Sequence, residues 1–155
     1  MSRRISTFKR FPKKDFKYDH LIVSLLINKL LKNGKKRLSS RLLYESFIII
    51  EKKIKKNPIL VLEKAIRNIS PSVIAIPIRE GKTIHQTPIL LNKYRSMQLA
   101  IHWVVEVARK KSGKSMSLKL SNELLDAYKG VGNLIRKRDY MHRYAESNKA
   151  FARFL

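Results

Sequence analysis

The stretch Met97–Lys111, MQLAIHWVVEVARKK, constrains the fold of this chain more than any other. Leu99, Ala100, Ile101, Trp103, Val104, Val105, Val107 and Ala108 cover nearly every face of a helix, and a helix that is apolar all round must be enclosed by protein. It closes in three adjacent cations, Arg109, Lys110 and Lys111, with Ser112-Gly113-Lys114 after them. Those charges have to reach water or an anion. The same contrast, apolar middle and cationic tip, recurs at most element ends. The expected fold is therefore mainly α: about six helices around one hydrophobic core, with a two-stranded β-hairpin protruding after the third helix.

Before the central helix, Asp19 is placed to cap a first helix running to Lys32, with Leu21, Ile22, Leu25, Leu26 and Leu30 as its buried stripe. Asn33-Gly34 stops it, because both residues tolerate positive φ. A second helix is expected over about 36–55, with Leu43, Phe47, Ile50 and Ile54 inward. Asn57-Pro58 starts a third, Asn as cap and Pro at the first helical position, with Ile59, Leu62, Ile66 and Ile69 inward. The period then drops to two. Ser72–Ile78 and Thr83–Leu91 read as the arms of a ribbon at 72–91 turning at Glu80-Gly81, and Pro77 and Pro88 confine it to a structure with free edges. An isolated ribbon is marginal in water, so it should project and be steadied by a partner.

After the central helix, entered near Asn92, Ser115 caps a fifth helix with Met116, Leu120, Leu124 and Ala127 inward, broken at Gly130-Val131-Gly132. A last helix is expected from about Leu134 to Phe154. It is strongly basic, with a thin stripe of Leu134, Met141, Ala145 and Ala152, and Tyr140, Tyr144, Phe151 and Phe154 lie largely off that stripe. Residues 18–155 thus form one helical domain, preceded by a basic arm at 1–17. The arm carries Arg3, Arg4, Lys9, Arg10, Lys13, Lys14 and Lys17 against the single acid Asp15, with Phe8, Phe11 and Phe16 between the cations. It lacks helical spacing and should order only on a partner.

Lys and Arg total 35 against 11 acids, a formal net charge of +24. Self-repulsion at that charge opposes compactness, so the fold calls for a polyanion. Nucleic acid comes first, an anionic membrane surface second. No apolar run reaches the ~18 residues of a membrane span. The absence of Cys excludes a disulfide framework and a thiolate zinc site. The N-terminus has no secretory h-region. Abundant Ile and Lys with little Ala is the bias of an AT-rich genome, as in organelles and endosymbionts.

Nothing in the sequence assembles a catalytic or metal site. His20, His85, His102 and His142 fall on different elements without ligand spacing, His102 reading as a satisfied core histidine. Glu123 and Asp126 share a helix face, where lysines nearby suggest surface ion pairs. Gly130-Val131-Gly132 lacks a preceding strand and a third glycine. No catalytic residue, metal or cofactor is assigned. What remains is charge, clustered at the arm, Lys35–Arg37, Arg79 with Lys82, Arg109–Lys111 with Lys114, and Arg136, Lys137, Arg138 with Arg143. A reader of one groove concentrates charge on one element. Charge on several tips suits a folded RNA, recognised through shape, phosphate and sugar. An architectural DNA-binding protein and a membrane protein anchored by the arm are the alternatives.

Four segments carry a resemblance: Gly34–Lys36 after a Leu/Ile helix, AIHWVVEVARKK at Ala100–Lys111, KSMSLKLSNELLDA at Lys114–Ala127 and RKRDYMHRYAESNKAFARF at Arg136–Phe154. Together they resemble the small-subunit ribosomal protein seven family of bacteria and organelles, over essentially the whole chain. The resemblance implies a helical protein with a β-ribbon that binds the three-prime major (head) domain of small-subunit rRNA and nucleates head assembly. It implies a place beside the mRNA exit path and exit-site tRNA, with ribosomal proteins nine and eleven as neighbours. The rRNA contacts inferred from resemblance and charge together are Arg3, Arg4, Lys9, Arg10, Lys13, Lys14, Lys35, Lys36, Arg37, Arg109, Lys110, Lys111, Lys114, Met116, Arg136, Lys137, Arg138 and Arg143. Arg79, Lys82 and His85 would face tRNA and mRNA. The ribbon departs from the family pattern, with Ile78 for an arginine, Glu80 in the turn and Lys82 for a glycine. Leu124–Gly132, with Tyr128, looks more like mitochondrial members, so a mitochondrial ribosome is expected, with a plastid ribosome or bacterial cytoplasm as alternatives.

Overall fold

A computed structural model describes residues 12–154. Six α-helices and one β-ribbon follow in the order α1 (Leu21–Leu30), α2 (Lys36–Ile54), α3 (Pro58–Ile69), β1 (Val73–Glu80), β2 (Thr83–Leu90), α4 (Lys93–Lys110), α5 (Met116–Lys129) and α6 (Asn133–Ser147). A short 3-10 helix, Lys149–Phe154, ends the described chain. This is the expected mainly helical fold with its hairpin after the third helix.

Local chemistry explains most of the boundaries. Asn57 Oδ1 accepts from the Ile59 N–H at 2.9 Å with Pro58 in the first turn, and Ser115 Oγ accepts from the Leu118 N–H at 3.3 Å. Asn33 and Gly34 take φ of 53° and 72°, reversing the chain between α1 and α2. Asp19 does not cap α1. It sits at φ 44° beside Lys14, and the N-cap position falls to His20, whose Nε2 bonds Glu63 Oε1 at 2.9 Å.

One apolar cluster runs through all six helices, with Phe47, Leu26, Leu43, Ile50, Leu62, Ile69, Leu120, Leu124 and Leu134 fully enclosed. Each such side chain contributes about 1.5–3 kcal/mol on leaving water. The helix taken as the centre shares that role. α4 packs on α1, α3, α5 and α6, while α5 packs on α2, α3, α4 and α6. α4 also keeps one open face, where Arg95, Gln98, His102 and Arg109 reach the surface. His102 is therefore exposed, a correction to its reading as a core residue. On α1 the inward face centres on Val23, Leu26, Ile27 and Leu30, with Ile22 and Leu25 packed at its edge and Leu21 outside the cluster.

The ribbon pairs Val73 with Leu90 through Glu80 with Thr83, leaving Gly81-Lys82 as a two-residue turn, one position later than expected. Gly81 alone of the pair has positive φ, 58°, the pattern of a type II′ turn. The ribbon is not left to an outside partner. Its strands pack against α6, and β2 also packs against the 3-10 helix. His85 stacks on Phe151 with centroids 4.9 Å apart, and the Ser72 N–H donates to His142 Nε2 at 3.1 Å. The last expected helix is accordingly two elements, α6 stopping at Ser147 so that the chain can turn onto β2.

Residues 12–17 are likewise held down. Ser24 Oγ donates to the Lys13 carbonyl at 2.6 Å, and the Tyr44 hydroxyl donates to both Asp15 oxygens at 2.9 and 3.0 Å. Burial, aided by that bond to Asp15, pushes the Tyr44 hydroxyl up to about 12. The arm's only acid is thus its anchor.

Candidate nucleic-acid interface

Cations at helix C-termini stabilise the helix dipole, whereas cations at N-termini oppose it by about 0.3–1 kcal/mol each. None of the six helices has an acid in its first turn. Lys35, Lys36 and Arg37 stand at the start of α2, Lys114 just before α5, and Arg136 in the opening turn of α6. All five are exposed, and none makes a side-chain hydrogen bond or ion pair within the described chain. Helix stability does not explain them. Converging backbone N–H groups, a positive dipole end and free cations together make an anion-binding arrangement.

Several of these tips come together. The ends of α1 and α4 and the starts of α2 and α5 meet around a cavity of about 180 Å³, its lining apolar at Leu30, Leu38, Leu42 and Met116 and cationic at Lys32, Lys35 and Arg109. The Arg109 guanidinium donates to the terminal carbonyls of α1, Lys29 at 3.4 Å and Leu30 at 3.3 Å. Met116 packs partly against the core there. A second concavity, about 540 Å³, lies between α1, α4 and β1, with Lys29, Arg95, Gln98 and His102 on its rim and Ile74, Ala75, Ile76 and Pro77 in its wall. Sequence reading missed Lys29 and Arg95. The signal for Arg95 was present in the spacing of Arg95, Gln98 and His102, three polar side chains three and four apart and so on one face of the helix.

Other expected contacts turn inward, and the charge alone could not show it. Lys111 Nζ lies 2.8 Å from Glu123 Oε1, and Glu123 is 2% exposed. Glu123 is thus a buried partner, not a surface one, and Lys111 neutralises it. Lys137 Nζ bonds Glu106 Oε2 at 2.6 Å and sits over the Trp103 ring. Lys110 bonds the other Glu106 oxygen at 2.8 Å. Arg138 is spent on Asp139 and the Asn68 carbonyl. Lys14 pairs with Asp19, but in the open. Lys13, Arg143 and Lys82 are exposed, Arg79 is exposed and donates to the Gly81 carbonyl, and His85 faces Phe151. Arg3, Arg4, Lys9 and Arg10 lie outside the described residues.

Hydrogen bonds from Lys110 and then Lys137 hold the Glu106 carboxyl down at about 2, from an ordinary 4.5. A depressed folded value contributes stability above the unfolded value and loses it as pH falls toward the folded one. Glu106→Gln is expected to cost about 1 kcal/mol at neutral pH, discounted because the site is partly solvated. Chemical denaturation across acid pH should show that difference closing between pH 4.5 and about 2. A gap that persists at the acid end would contradict the ion-pair account.

Among the described residues, no His, Cys, Asp and Glu group is placed to hold a metal ion, and no helix is long and apolar enough to cross a membrane. The geometry is that of a helical body with anion-seeking tips. Two matches put it among ribosomal proteins. A model of the family described as ribosomal protein S7p/S5e matches residues 2–149, and the small ribosomal subunit protein uS7c of Nephroselmis olivacea is 44% identical over 152 residues, 98% of this chain and 97% of that protein. The chain belongs to the ribosomal protein S7p/S5e family, a family of ribosomal proteins and not of enzymes. The relative is a plastid protein, so the mitochondrial expectation drawn from Leu124–Gly132 gains no support from it.

Proposed function

We propose that this chain is a structural constituent of the small ribosomal subunit of a plastid, where it binds the head domain of the small-subunit rRNA and nucleates head assembly. The observation that carries the reading is the set of unpaired cations at the starts of α2, α5 and α6, which stabilise nothing within the protein and suit phosphate. Family membership supports the ribosomal role, and the relative named uS7c supports the small subunit and the plastid. The working contacts are Lys35, Lys36, Arg37, Lys114, Arg136 and Arg143, with Lys13 and the arm reaching further along the RNA. The turn residues Arg79 and Lys82 would lie toward mRNA and exit-site tRNA, and ribosomal proteins nine and eleven would be neighbours.

Tagged protein should sediment with small subunits from isolated plastids, and its crosslinks to RNA should fall in the three-prime major domain. Recovery with mitochondrial subunits would change the organelle. Recovery with DNA and not with subunits would overturn the reading in favour of an architectural DNA-binding role.

A further inference from the structure

The outer face of α6 carries two tyrosines and two arginines whose side-chain polar groups bond nothing else in the described chain. Arg136, Tyr140, Arg143, Tyr144 and Ser147 fall within about 100° of arc, opposite the buried Leu134 and Ala145. Tyr140 is 61% and Tyr144 36% exposed, so both residues reach solvent, Tyr144 over about a third of its surface. Their planes agree within 12°, with centroids 6.1 Å apart. Neither hydroxyl has a hydrogen-bond partner within the described chain, and neither the Arg136 nor the Arg143 guanidinium has one either.

We propose that Arg136, Tyr140, Arg143 and Tyr144 form a stacking platform for unpaired bases of a single-stranded RNA segment. The inference rests on the rRNA-binding reading above and adds the kind of RNA taken at this face. Aligned aromatic faces accept any base, and flanking guanidiniums grip the phosphates on either side or stack in turn. A duplex would offer these rings no open base face. Tyrosine and arginine also anchor protein interfaces; RNA is favoured here by two unpaired guanidiniums, Arg136 and Arg143, beside the rings in a chain of net charge +24. Glu146, the nearby acid, is paired with neither arginine.

The test uses the full chain, an oligouridylate of about eight nucleotides and a hairpin duplex of equal charge, each titrated across a salt series. Phosphate contacts set the slope of log affinity against log salt, and stacking sets a salt-independent offset. Tyr140→Leu with Tyr144→Leu should weaken oligouridylate binding about tenfold with the slope unchanged and duplex binding untouched. Tyr140→Phe with Tyr144→Phe should retain wild-type binding, since the rings remain. Ultraviolet crosslinking should place uridine on the tryptic peptides Asp139–Arg143 and Tyr144–Lys149. Equal oligouridylate binding by the Leu variant, with its helical signal intact, overturns the platform. So does loss of a protein neighbour from the subunit without any change in RNA binding. Failure of the wild-type chain to bind head-domain rRNA would instead strike at the proposed function itself.

Discussion

Affinity for head-domain rRNA is expected to fall by about four orders of magnitude as monovalent salt rises from about 50 to 200 mM. The figure takes eight of the exposed cations that have no acidic partner within the described chain: Lys13, Lys35, Lys36, Arg37, Arg109, Lys114, Arg136 and Arg143. If each neutralises one phosphate, at roughly −0.7 to −0.9 per contact, the log–log slope is about −6 to −7. Arg3, Arg4, Lys9 and Arg10 can only steepen it. The structure also says which substitutions move the slope. Lys36→Gln with Arg37→Gln should make it shallower by about 1.5. Lys111→Ala should leave it alone, because that charge already faces Glu123. A filter-binding salt series decides the matter: a wild-type slope near −2 would mean that the separate tips do not engage the RNA together.

The second large effect is on stability. Lys111→Ala leaves the Glu123 carboxylate enclosed and without its cation. Breaking a buried pair from one side costs about 3–5 kcal/mol, and the lower end applies because the Lys111 side chain keeps 38% of its exposure. About 3 kcal/mol corresponds to a drop in Tm of about 6–12 °C for a domain of this size. Replacing both members, Lys111→Leu with Glu123→Leu, should recover most of that loss, since no orphan charge remains. The bond to Glu123 also raises the Lys111 ammonium above its usual range. A raised folded value gives stability that is fully present below the unfolded lysine value and fades as pH climbs through the folded one. The gap between wild type and Lys111→Ala should therefore hold across neutral pH and close only in strong alkali. A single variant as stable as wild type would show that Glu123 finds another partner.

These two predictions mark where the sequence was legible. Turn and cap chemistry is local, so Asn33-Gly34, Asn57-Pro58 and Ser115 could be placed from neighbouring residues alone, and they stand where expected. Apolar periodicity located each helix but not which flank meets the core, because a helix rich in Leu and Ile offers more apolar surface than it buries. Hence the rotation of α1 toward Val23 and Ile27, and the exposure of His102. Charge was visible and its partners were not. Lys111 with Glu123 is 12 residues apart, Lys137 with Glu106 is 31, and Tyr44 with Asp15 is 29. Only the fold brings such pairs together, so an inventory of cations overstated the surface at Lys111, Lys137 and Arg138. The dipole argument works better, since it asks which end of a helix a cation occupies and needs only the helix boundaries.

The clamp of β2 by Lys149–Phe154 bears on the order in which the molecule is made. A ribosome releases Thr83–Leu90 long before it releases Phe151, at about 5–20 residues per second. Throughout that interval the nascent hairpin has its turn but not its brace, and two strands alone are marginal in water. The helices α1 to α3 can meanwhile collapse on one another. The ribbon therefore settles late: the segment that reaches outward becomes rigid only once Lys149–Phe154 has emerged to brace β2.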